Sequence, residues 1–140
     1  MDVVDLPDHL HDAAVRLWHE AGLTRPWNDP VADLARALEG PSSTVLAALD
    51  TDRLVGTVML GHDGHRGWVY YLAVDRAARR QGVGSALVRA AEQWLVDRRI
   101  VKLQLMVRVD NDVAVGFYRA LGYDVVDVTV LGRRLDANDS

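Results

Sequence analysis

The chain has no cysteine, which excludes disulfides, thiolate metal sites and a cysteine nucleophile. A reducing compartment accords with that absence. No apolar run approaches the roughly 20 residues that a helix needs to cross a bilayer. The first residues carry Asp2, Asp5 and Asp8 in place of the basic-then-apolar order of an export signal. A cytoplasmic protein with no membrane partner is therefore expected. Positive charge is also short: 16 Lys and Arg stand against 20 Asp and Glu, a formal net charge of -4. That balance is the reverse of a nucleic-acid-binding surface, so no nucleic-acid partner is expected.

The composition, 49% hydrophobic and 26% charged over 140 residues, is that of an ordinary globular protein. The length suits one core and not two, so a single domain over residues 1–140 is expected, with any ligand site inside one sheet and its flanking helices. No repeat, linker or low-complexity segment breaks the chain.

Residues 1–5 read as a short first strand. Leu10, Ala13, Ala14, Leu17, Trp18 and Ala21 then recur at helical spacing over about 7–21. In Arg25-Pro26-Trp27-Asn28-Asp29-Pro30, Asp29 is placed to cap a second helix and Pro30 to open it. The period then shortens: residues 43–49 and 54–60 read as a hairpin about Asp50-Thr51-Asp52, and 68–74 as a third antiparallel strand. A helix is expected from Val83 to about Arg98, a strand over 100–107, a helix from Asn111 to Leu121 stopped by Gly122, and one or two strands over 123–135. Residues 136–140 read as a frayed tail.

Between the third strand and its helix lies Asp75-Arg76-Ala77-Ala78-Arg79-Arg80-Gln81-Gly82-Val83-Gly84-Ser85. A helix N-terminus presents unpaired N–H groups and a partial positive charge, and glycines let an anion reach the main chain. Three arginines in an acidic chain point the same way. A P-loop would need a lysine after its second glycine, whereas Gly84 is followed by Ser85-Ala86. A dinucleotide fingerprint would need a third glycine where Leu87 stands and no seven-residue insert from Asp75 to Gln81.

Arg79-x-x-Gly82-x-Gly84 after a strand resembles the acyl-CoA pyrophosphate loop of the GNAT superfamily of N-acetyltransferases. A second motif of that family follows as Asn111-x-x-Ala114-x-x-x-Tyr118-x-x-x-Gly122-Tyr123. The element order resembles the same family over the whole chain. The resemblance implies an α/β (α+β) fold with a mixed, mostly antiparallel central sheet of six to seven strands and about four flanking helices. Two departures stand out: Arg76 occupies a position where the family often has proline, and the first strand is short. Arg25–Pro30 together with Gly61-His62-Asp63-Gly64-His65-Arg66-Gly67 further resembles a small bacterial single-domain subgroup whose substrate is open.

The resemblance implies acetyl-CoA as cofactor, a primary amine as acceptor, and dimers of the kind common in the family; with no cysteine and no serine beside an evident base, direct transfer in a ternary complex is expected over an acyl-enzyme. It assigns cofactor contacts to the main chain of Leu72 and Val74 and to Arg79, Arg80, Gln81, Gly82, Val83, Gly84 and Ser85, with Asn111 and Tyr118 from the second motif. Tyr118 becomes the general acid for the departing thiolate. By spacing alone it is equally a core residue, as Asn111 is equally a helix cap and Ser85 a first-turn residue. The general base stays open, because Lys102-Leu103-Gln104-Leu105-Met106-Val107 carries no carboxylate. Candidates on the acceptor side are Trp27, Asn28, Asp29, His62, Asp63 and Tyr70, with His65 a further candidate base. Trp68, Arg25 and Arg66 are possible pocket walls. Turn and cap roles compete for several of these, and no metal site is expected from His62, Asp63 and His65. A non-catalytic acyl-CoA-binding module is the alternative function.

Overall fold

A computed structural model describes residues 1–136. The elements are strand β1 (Asp2–Asp5), a 3-10 turn (Asp8–Leu10) leading into helix α1 (His11–Glu20), helix α2 (Pro30–Glu39), and strands β2 (Ser43–Asp50), β3 (Arg53–His62) and β4 (Gly67–Val74). A second 3-10 turn (Arg76–Ala78), helix α3 (Val83–Asp97), strand β5 (Leu103–Leu105) and helix α4 (Asp112–Ala120) follow. Met1–Met106 form one compact unit and the residues from Val107 onward a second. Of the tail expected at 136–140, only Asp136 lies within the described residues.

The first unit is a five-stranded sheet in the order β1-β2-β3-β4-β5, antiparallel except for the parallel pair β4–β5. Helix α3 is the crossover between those two strands. The sheet is covered on both faces, which is why β2 reads as a nearly unbroken apolar run. Val45 and Ala47 join the core under α1 and α2, while Leu46 and Ala48 join the core under α3. The expected cap of α2 is present: the Asp29 side chain accepts from the Ala32 N–H at 3.1 Å, with Pro30 in the first turn.

Helix α3 rests on two glycines. A Cβ at Gly56 would come 2.8 Å from Val83 Cγ1 and 2.9 Å from Leu87 Cδ1, and one at Gly67 would meet the Leu95 side chain. Both ends of the helix are thus sunk onto β3 and β4. Gly56 pairs with Val74, so the start of α3 is set beside the C-terminal end of β4. The connection between them is pinned by Asp75, whose N–H donates to the Val55 carbonyl at 2.8 Å and whose carboxylate pairs with Arg53 at 2.8 Å. The other carboxylate oxygen accepts from the Ala77 N–H at 3.0 Å and starts the 3-10 turn. The Arg53 hydrogen bond, followed by that from Ala77, holds the Asp75 carboxyl below the usual carboxylate range.

In the second unit α4 begins at Asn111, whose side chain accepts from the Ala114 N–H at 3.0 Å. Two expectations change here. The strand expected over 100–107 contracts to Leu103–Leu105, and residues 123–135 form no strand, so the described sheet has five strands and not six or seven. The stretch after Gly122 is rich in β-branched residues, and Val125, Val128 and Leu131 are exposed. Such residues favour a pleated surface only where a neighbouring strand offers paired backbone groups.

Gly56→Ala is expected to lower stability by about 1–3 kcal/mol through overpacking against α3, read as a fall in the urea midpoint. Asp75→Asn is expected to be less stable than the parent at neutral pH. A depressed folded pKa confers stability above the unfolded value of about 3.9, so the two urea midpoints should converge as pH falls through the Asp75 pKa.

Candidate active site

Strands β3 and β4 pair regularly from His62–Gly67 to Met59–Tyr70 and then resume at Thr57–Ala73. Three steps on β4 span two on β3, so β4 carries a bulge. Its signature is Tyr71, at φ +49°, a left-handed conformation that costs a bulky side chain about 1–2 kcal/mol. Tyr70 pairs with Met59, which packs under α1 and α2, and Tyr71 packs in the same layer. Two consecutive side chains therefore lie on one face.

Tyr71 is tied at both ends. Thr57 Oγ1 donates to its carbonyl at 3.1 Å and accepts from the Trp18 indole N–H at 2.9 Å. The Tyr71 ring stacks on Trp18 at 4.1 Å between centroids, and its hydroxyl donates to Asp33 in α2 at 2.8 Å. Burial, with the Asp33 bond, pushes this phenol up to about 12.

The parallel pairing of β4 with β5 ends at Val69–Leu105, just before the bulge. Beyond it one edge of β4 is free of β5. Because the Asp75 N–H points to β3, the main-chain groups of Val74 and Leu72 point by alternation to the opposite, free edge. That edge leads directly to the glycine loop. Gly82, at φ +79°, is the cap residue of α3 and has no side chain to close the helix end. The Ala86 N–H bonds the Gly82 carbonyl at 3.0 Å, leaving those of Val83, Gly84 and Ser85 without an acceptor within the helix. A Cβ at Gly82 would meet nothing within 4 Å, so the approach to these groups is clear. Arg79, Arg80 and Gln81 are exposed, and Arg80 is itself left-handed at φ +67°. A cleft lined by Leu17, Glu20, Ala21, Val74, Asp75, Arg76 and Arg79 opens where α1 ends beside this loop. The open start of α3 thus continues into a strand edge free of β5 within one unit, a layout suited to a diphosphate with an amide-bearing arm.

The acceptor-side candidates separate into two groups. Asp29 caps α2 one turn before Asp33, the partner of Tyr71; Trp27 is 60% exposed, and the Asn28 N–H donates to the Arg25 carbonyl at 3.0 Å. Tyr70, 45% exposed, lies on that same face, and burial raises its phenol above the ordinary value. His62 lies the other way, 6.1 Å from Trp94 of α3, at the far end of β4 from the glycine loop. There His62 Nδ1 accepts from the Gly64 N–H at 3.0 Å, and Asp63 accepts from the N–H groups of Arg66 and His65, each at 2.8 Å. These bonds, that from Arg66 first, lower the Asp63 carboxyl. Arg25 is likewise occupied, donating to the carbonyls of Gly22 and Thr24.

In the second unit Asn111 caps α4, and Tyr118 stands two turns along it, edge-on to Phe117 and Tyr123 at 5.0 and 5.7 Å. Burial pushes the Tyr118 phenol up to about 12, so it holds its proton throughout the physiological range.

Sequence reasoning missed Gly56, Arg53 and the Trp18–Thr57–Tyr71–Asp33 set. One signal was visible: a hydroxyl at position 57 inside the apolar run from Leu54 to Leu60.

The sequence model of the Acetyltransferase (GNAT) family matches residues 9–123. A Pectobacterium atrosepticum protein named as an acetyltransferase is 44% identical over 124 residues, 89% of this chain and 88% of that one. Among solved structures, AAC(6')-Iy in complex with the bisubstrate analogue CoA-S-monomethyl-acetylneamine has a TM-score of 0.82 at 15% identity, covering 95% of this chain and 97% of the other. A transcriptional regulator from Bacillus halodurans C-125 also reaches 0.82, at 18% identity, over 95% and 99% of the two chains. The structural likenesses establish the fold; the family match and the close relative establish descent, and by them this chain belongs to the GNAT family of acetyltransferases.

Proposed function

We propose that this protein is an acetyl-CoA-dependent N-acetyltransferase that acts on the primary amine of a small molecule, by direct transfer in a ternary complex and within a single domain. The observation that carries the reading is the continuity of the free β4 edge at Leu72 and Val74 with the bare N-terminus of α3. The solved structures of the same fold include an aminoglycoside N-acetyltransferase bound to CoA, which favours a small-molecule amine over a peptide or lysine. A cytoplasmic location and a homodimer belong to the same proposal.

Acetyl-CoA supplies an acetyl group activated as a thioester, and transfer to an amine releases the CoA thiol. The residues fit it. The N–H groups of Val83, Gly84 and Ser85 hold the diphosphate, with the positive end of α3 behind them and Arg79, Arg80 and Gln81 about them. Main-chain groups of Leu72 and Val74 hold the pantetheine amides as a neighbouring strand would, and Asn111 adds a polar contact. Tyr118 keeps its proton at working pH and delivers it to the leaving sulfur.

Trp27, Asn28, Asp29 and Tyr70 receive the acceptor on the α1/α2 face; His62 and Asp63, at the far turn, are the more distant candidates. With Leu103-Gln104-Leu105 on β5, the amine's proton leaves to solvent or to a group on that face.

Two measurements test this reading. Tyr118→Phe is expected to lower turnover tenfold or more while the acetyl-CoA Kd stays within about twofold of the parent; an unchanged rate of CoA release with a panel of amines removes Tyr118 from its role. Gly82→Val places a β-branched residue at φ +79° in front of the helix end, and is expected to weaken acetyl-CoA binding tenfold or more by calorimetry. Unaltered affinity would mean that the diphosphate binds elsewhere.

A further inference from the structure

We propose that Thr57 is a positioning residue for the acyl donor: its hydroxyl, oriented by the Trp18 indole, holds the Tyr71 carbonyl and thereby keeps the edge of β4 beyond Val69 turned out of the sheet and open. This inference rests on the reading of that edge as the donor's binding channel.

Three observations converge on the hydroxyl. First, Thr57 is the only buried polar or charged residue among those described, and both it and Trp18 are fully shielded from solvent. Its oxygen donates one hydrogen bond and accepts another, to two groups from different elements, α1 and β4. Second, the carbonyl it holds belongs to Tyr71, the residue of β4 with positive φ and the extra step in the β3–β4 register. A bulky residue persists in that conformation only where its surroundings over-determine it. Here the surroundings are Thr57 at the carbonyl, Trp18 against the ring and Asp33 at the phenol.

Third, the bulge begins where the parallel pairing of β4 with β5 stops, at Val69–Leu105. Without it β4 would continue as a regular strand, and every residue beyond would change face. Tyr71 would turn toward α3, and Leu72 and Val74 would exchange the free edge for the β3 side. The bulge therefore decides which main-chain groups the edge offers. Thr57 acts through Tyr71 and has no contact with the donor itself.

The test compares Thr57→Ser, which keeps the hydroxyl, with Thr57→Val, which keeps the shape and loses it. Each full-length variant is examined by thermal unfolding, by amide hydrogen exchange at Leu72 and Val74, and by calorimetric titration with acetyl-CoA. For folded Thr57→Val the acetyl-CoA Kd is expected to rise tenfold or more and exchange at Leu72 and Val74 to change by tenfold or more. Thr57→Ser should remain within about twofold of the parent in both. A Thr57→Val protein with a lower Tm but parental Kd and exchange overturns the proposal, since the hydroxyl then only stabilises the core. If the parent itself binds no acetyl-CoA, the donor reading fails; the exchange comparison still decides whether Thr57 holds the bulge, and unchanged exchange sinks that role too. Should Thr57→Val not fold, Trp18→Phe, which keeps a ring against Tyr71 but removes the indole donor, is measured in the same way. A rise of about threefold in Kd is expected there, and a parental Kd with parental exchange overturns the proposal.

Discussion

The Thr57 hydroxyl, placed between the Trp18 indole and the Tyr71 carbonyl, joins helix α1 to strands β3 and β4 at one buried oxygen. A typical hydrogen bond contributes only about 0.5–1.5 kcal/mol net, but a buried group left without a partner costs about 1–3 kcal/mol. That asymmetry makes the arrangement selective. Any packing that straightens β4 leaves the hydroxyl proton to find a new acceptor in an apolar layer. The left-handed backbone at Tyr71, costing about 1–2 kcal/mol, is of the same size as the bonds that offset it. Stacking of Tyr71 on Trp18 and its bond to Asp33 add to the same side.

From that point the geometry of the site follows in steps. The bulge puts Tyr70 and Tyr71 on one face and begins where the pairing of β4 with β5 ends. The free edge runs into a loop pinned by Arg53 and Asp75, and the loop ends at a helix whose start is held close to the sheet by the absence of a side chain at Gly56. Strand edge and helix end both present main-chain groups, which can act by position without a particular side chain. The fold itself is reached at 15–18% identity by proteins of different description.

Much of this was legible in the chain. Asp29-Pro30 announced the start of α2, Asn111 that of α4, and the Asp50–Asp52 turn the β2–β3 hairpin, because caps and turns depend on residues within reach of one another. The two glycine-containing motifs led to the family, and the structure places the first at an open helix end. The misreadings involve partners far away in sequence. Residues 123–135 have the composition of a strand and form none, and β5 is shorter than its apolar run, since pairing depends on a neighbour's edge and not on local preference.

The division for the site follows the same line. By itself the sequence determined the glycine loop before α3, the two motifs that resemble the family, and the helices that carry Asn111 and Tyr118, each being local in spacing or periodicity. Tertiary structure alone decided that Thr57, Trp18, Tyr71 and Asp33 act together, across separations of 14 to 39 residues. It also decided that Tyr70 and the Trp27–Asp29 stretch share a face from which His62 is turned away. The physical reason is the single extra residue in β4: a bulge reverses the faces of a strand, and where it falls is fixed by hydrogen-bond partners that no local pattern specifies.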